Sequence, residues 1–123
     1  MKTMVIGASP NPNRFSHMVT LRLQENGIET IPVGIRSGRI GALPIANLKE
    51  RPHYQDIHTL TMYLNQYNQR SWYEYMLKLQ PQRVIFNPGS ENPEFYQMLN
   101  NEGIIYQEAC TLVMLASGIY KVA

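Results

Sequence analysis

Arginine and hydroxyl side chains grouped around glycine bind anions, and this sequence holds two such groupings. The first is Gly7-Ala8-Ser9-Pro10-Asn11-Pro12-Asn13-Arg14-Phe15-Ser16, in which Ser9, Arg14 and Ser16 follow a glycine turn. The second is Val33-Gly34-Ile35-Arg36, with Arg39 close behind. A guanidinium presents a fork of N–H donors that matches a phosphate. The unpaired N–H groups of a helix start add to such a site. Phosphate binding is therefore the expected chemistry.

Groups for making and breaking bonds are scarce. Cys110 is the one cysteine; a place at a helix N-terminus would favour its thiolate, while an apolar tail would make it a structural residue. Cys110, His17, His53 and His58 have no metal-ligand spacing. No nucleophile stands with a base, and no Tyr-x-x-x-Lys pair occurs, Lys78 having Glu74 four residues before it. The sequence thus reads as a binding protein rather than an enzyme.

These groups need elements to position them. Met4-Val5-Ile6 is an apolar run that stops at Gly7, as in a strand buried on both faces. Phe15, Met18, Val19 and Leu23 recur at helical spacing, with Ser16 as N-cap and Gly27 as the closing glycine. Ile28 to Val33 is a second strand, with Pro32 near its end. Strand, helix and strand within about thirty residues make a right-handed βαβ unit. From Gly34 to Asp56 glycine and proline punctuate an irregular stretch, which is long for a loop in a compact domain. His58 to Leu64 reads as a third strand and Asn65 to Asn68 as a turn. Trp72, Tyr75, Met76 and Leu79 form a helical core stripe that ends at Pro81. Arg83 to Phe86 is a fourth strand, broken by Asn87-Pro88-Gly89. Asn92-Pro93 starts a helix with Phe95, Met98 and Leu99 on its face, and Gly103 closes it. Ile104 to Tyr106 is a fifth strand, and Cys110 to Ala116 a short buried helix.

The alternation predicts a single α/β domain over 1–123, a doubly wound, parallel, five-stranded, Rossmann-like sheet between helical layers, in the order 3-2-1-4-5. Ligands of such sheets lie beyond the carboxyl ends of the strands, where the winding reverses. That rule gathers Gly7 to Ser16, Gly34 to Arg39, Tyr63 to Asn65 and Asn87 to Gly89 around one crevice.

Composition narrows the partners. The 123 residues carry a formal charge of +2, with arginines and lysines scattered, which argues against nucleic acid. No apolar run has the length of a membrane span or the plan of a signal peptide, so a soluble cytoplasmic protein is expected. A small anion remains. The second and third glycines of the dinucleotide fingerprint are replaced by Ser9 and Pro12, and the acidic residue that would hold an NAD ribose by Arg36. A basic residue there fits an extra phosphate, on the 2′ oxygen in NADP or the 3′ oxygen in coenzyme A. The charges alone leave both open, and an NADP-dependent oxidoreductase or a nucleotide-binding regulatory module is the alternative to a CoA-binding protein.

The segments Gly7 to Ser16, Ile31 to Arg36, Phe86 to Asn92 and Glu108 to Thr111 resemble, in that order and across the whole chain, the small stand-alone CoA-binding proteins. These are Rossmann-like domains similar to the N-terminal CoA-binding domain of the succinyl-CoA synthetase α subunit. The resemblance implies that Gly7, Ser9, Arg14 and Ser16, with Ala8 beside them, hold the pyrophosphate of CoA or acyl-CoA. Arg36 would meet the 3′-phosphate, with Val33, Gly34 and Arg39 around the ribose. Tyr63 to Asn65 would flank the adenine or pantetheine, and Asn87 and Gly89 complete the crevice. Many members read Asn-Pro-Lys where this chain has Gly34-Ile35-Arg36. The synthetases' second domain, with its phosphorylated histidine, has no counterpart, so His17, His53 and His58 inherit no such role. A carrier, a sensor or a partner subunit is implied, alone, self-associated or with a partner protein.

Overall fold

The computed structural model describes residues 1–121. In chain order the elements are β1 (Thr3–Ile6), α1 (Phe15–Glu25), β2 (Thr30–Gly34), β3 (Arg39–Ile40), β4 (Leu43–Pro44), β5 (Ala46–Asn47), β6 (Thr59–Met62), α2 (Gln66–Gln69), α3 (Tyr73–Lys78), β7 (Arg83–Phe86), α4 (Pro93–Asn101), β8 (Ile105–Glu108) and α5 (Thr111–Ala116). One six-stranded sheet has the order β5-β2-β1-β6-β7-β8, and all its pairings are parallel. β3 and β4 form a small antiparallel hairpin of their own.

The sheet is thus doubly wound and Rossmann-like, with two corrections to the sequence reading. It has six strands rather than five, because Ala46–Asn47, inside the stretch read as irregular, pairs with Val33 and Gly34. The order 3-2-1-4-5 also fails for the strand expected third: Thr59–Met62 lies beside β1 and not beyond β2. β5 takes the outer place. An edge strand of two residues needs only two partners, and is too short to show a period of two. The chain builds outward through β2 and β5, then returns to the other flank of β1.

Alternation along the strands makes two cores. Met4, Ile6, Leu60, Met62, Val84 and Phe86 point to the side of α3 and α4, where Tyr75, Met76, Leu79, Phe95 and Leu99 cover them. Val5 and Ile85 point to the other side, with Val19 and Leu23 of α1 and Met114 of α5. Three layers result. Asn92 caps α4, its Oδ1 accepting from Phe95 N at 3.2 Å, and Asn65 caps α2 through Asn68 N at 2.8 Å. The segment read as a turn is therefore a short helix. Among the described residues no helix is long and apolar enough to cross a membrane.

α1 departs from its predicted face. Its buried residues are Ser16, Val19, Thr20 and Leu23, whereas Phe15 is 67 % and Met18 37 % exposed. Ser16 is not the N-cap; Arg14 holds that position, without a side-chain bond. Thr20 can be buried because its hydroxyl donates to Ser16 O at 2.8 Å. α5 is likewise only half covered, with Val113 61 % exposed.

Candidate functional site

β1 is flanked by β2 on one side and β6 on the other, so the loops leaving its two neighbours part above it and open a crevice. A cleft of about 410 Å³ occupies this place, lined by Gly7, Ala8, Ser9, Asn11, Arg14, Phe15, Ser16, Ile35, Arg36, Tyr63, Leu64, Asn68 and Pro88. All four segments expected around one crevice contribute to it.

Two glycines let the loops meet. Gly7 has φ +94°, and a Cβ there would stand 3.0 Å from the carbonyl carbon of Tyr63. The room that glycine leaves is thus taken by the main chain leaving β6. Gly34 lies under the next loop, where a Cβ would fall 2.2 Å from Ala8 O. The carbonyl of Val33 ties the two loops, accepting from Gly7 N at 2.9 Å and from Ala8 N at 3.0 Å. These two amides are therefore not free for an anion.

Other donors are free. The loop bonds itself through Ser9 Oγ, which accepts from Asn11 N, and through Asn11 Oδ1, which accepts from Asn13 N. The N–H groups of Ser9, Phe15 and Ser16 have no partner among the described residues. His17 lies 2.9 Å from Ser9 O through Nδ1; because a carbonyl only accepts, that nitrogen carries the hydrogen. His17 thus braces the loop. Neither Arg14 nor Arg36 makes a side-chain hydrogen bond or ion pair among the described residues. Among the described residues no carboxylate lines the cleft.

The remaining expected residues have other places. Arg39 is in the β3–β4 hairpin and donates through Nη2 to Ala42 O at 2.6 Å. Asn65 and Gly89 line a neighbouring groove with Gln66, Tyr67, Arg70 and Glu91. Asn87 is 2 % exposed; its Nδ2 donates to Thr61 Oγ1 at 2.7 Å and Met62 O at 3.0 Å, while Oδ1 accepts from Thr111 N at 2.8 Å. It supports the cleft from below. Tyr63 is half-buried, and that burial, with Cys110 nearby, pushes its phenol well above the ordinary range, so it stays neutral. Cys110 holds the N-cap position of α5 without a side-chain bond and is not among the cleft-lining residues. Asn11, Phe15, Ile35, Leu64, Asn68 and Pro88 complete the lining without having been expected there individually as site residues.

Comparisons with known proteins agree on what this frame is. No curated protein gives a significant match. A solved structure described only as an uncharacterized protein is 44% identical, covers 97% of each chain and superposes with a TM-score of 0.93. A Thermus thermophilus protein, 22% identical, shares the fold with a TM-score of 0.82 over 97% of this chain and 90% of its own. A conserved hypothetical protein from Pyrococcus furiosus, also 22% identical, does so at 0.80 over 91% and 97%. The family model of the CoA binding domain matches residues 1–116, and the chain belongs to that CoA-binding domain family.

Proposed function

We propose that the protein binds coenzyme A or an acyl-CoA in the cleft above β1, as a carrier, a sensor or a partner subunit. The observation that carries this reading is the pair of arginines, Arg14 and Arg36, that line one cleft with no partner and no carboxylate beside them among the described residues. Unpaired guanidiniums around free helix-start amides favour a ligand with several phosphates. Arg14, Ser16 and the N–H groups of Ser9, Phe15 and Ser16 bind the pyrophosphate. Arg36 binds the 3′-phosphate, and the exposed apolar side chains of Phe15 and Ile35 border the adenosine. Tyr63, Leu64, Asn68 and Pro88 then form the wall along which pantetheine runs, since it leaves the pyrophosphate on the side away from the adenosine.

Calorimetric titration with CoA and NADP tests this reading. CoA is expected to bind at least about tenfold more tightly, which corresponds to about 1.4 kcal/mol. Equal or tighter binding of NADP would reject the reading.

A further inference from the structure

We infer that Gln69 is the positioning residue of the pantetheine wall, acting as a buried clip between the two loops that form it; this rests on the CoA reading above. The wall comes from separate pieces of chain, Leu64 and Asn68 after β6 and Pro88 after β7. Nothing covalent holds them in register. Gln69 has 0% exposure although it is an amide at the end of a four-residue helix. Its Nε2 donates to Leu64 O at 2.8 Å in the first loop and to Ser90 O at 2.7 Å in the second. Its Oε1 accepts from Asn92 Nδ2 at 2.9 Å, and Asn92 in turn caps α4.

The second loop is fixed in the same way. Ser90 Oγ donates to Asn87 O at 2.7 Å, and the Asn87 amide is bonded to β6 and to the start of α5. Both hydrogens of Gln69 Nε2 are thus used, one per loop, and no ligand is needed to satisfy them. A buried amide with every bond made is a rigid connection, because moving either loop would leave a polar group unpaired in the interior. Gln69 therefore sets the distance from the Leu64 side of the wall to the Pro88 side. The adenosine end of the cleft, at Arg36 and Ile35, is built from other loops and does not depend on it.

Gln69→Leu keeps the bulk and removes every side-chain bond. We expect it to weaken CoA by about tenfold while changing adenosine 3′,5′-bisphosphate, which lacks the pantetheine arm, by less than about twofold. A merely structural role would lower both affinities together, and that result, or an unchanged CoA affinity in the folded variant, overturns the inference. Gln69→Glu decides the matter where Gln69→Leu does not fold. Its carboxylate cannot donate to the two carbonyls but its protonated form can donate to one, so CoA affinity relative to wild type should recover as pH falls; a constant ratio contradicts the clip. Wild type that fails to bind CoA at all would instead reject the CoA reading.

Discussion

Gly34→Ala is expected to destabilise the protein by about 3 kcal/mol and to lower its melting temperature by about 10 °C, the upper range for overpacking an interior. The added methyl would sit 2.2 Å from Ala8 O, and that carbonyl belongs to main chain held on both sides. Gly7 N and Ala8 N are bonded to Val33 O, one residue before the substitution, so the loop cannot retreat without giving up those bonds. Gly103→Ala is the control. Unlike Gly34, it has a positive φ, +69°, and an added side chain there meets only open space, so the substitution should cost only about 1 kcal/mol. Melting curves of the two variants separate contact from conformation; similar melting temperatures would show that the loops after β1 and β2 have room to part.

Arg36→Ala should weaken CoA by about tenfold or more, because a charge-assisted hydrogen bond to phosphate contributes on the order of 1.5 to 3 kcal/mol. The same substitution should leave dephospho-CoA nearly unaffected, since that ligand lacks the group Arg36 is proposed to meet. Affinities of wild type and variant for the two ligands form a double-mutant cycle, whose coupling term isolates the contact. Arg39→Ala is the neighbouring control, its guanidinium being bonded within its own hairpin to Ala42 O. A coupling near zero would remove Arg36 from the 3′-phosphate. Arg36 is exposed at the cleft, so its loss should not disturb folding, and a fall in affinity can be read as lost binding.

The frame of this site was legible where strands are buried on both faces. Met4 to Ile6 and Val84 to Phe86 are short apolar runs because each side of the sheet is covered, and they lie in β1 and β7 as expected. β5 was not legible, as Ala46 and Asn47 carry no pattern and are a strand only because Val33 and Gly34 offer an edge. The face of α1 misled for a different reason. Ser16 and Thr20 line its buried side, and polar residues there conceal the stripe, whereas the helical spacing of Phe15 and Met18 with Val19 and Leu23 suggests one shared face.

That misreading matters for the site, since Phe15 lines the cleft instead. Arg14 and Arg36 could be recognised by side-chain type, a guanidinium beside a glycine turn being chemistry that sequence displays. Ile35, Leu64 and Pro88 could not, because an apolar loop residue looks the same whether it meets core or ligand. Asn87 shows the converse limit: by type it suits a ligand contact, and only the partners around it, Thr61, Met62 and Thr111, reveal a buried support. Gln69 gave no local signal of burial at all.

Native mass spectrometry of the protein purified without added ligand tests the central claim most directly. The account predicts a second species heavier by one CoA or acyl-CoA, which disappears on denaturation and is lost or strongly reduced in Arg36→Ala. Protein that carries NADP in its place, or that stays free of CoA species when CoA is supplied in excess, would contradict it.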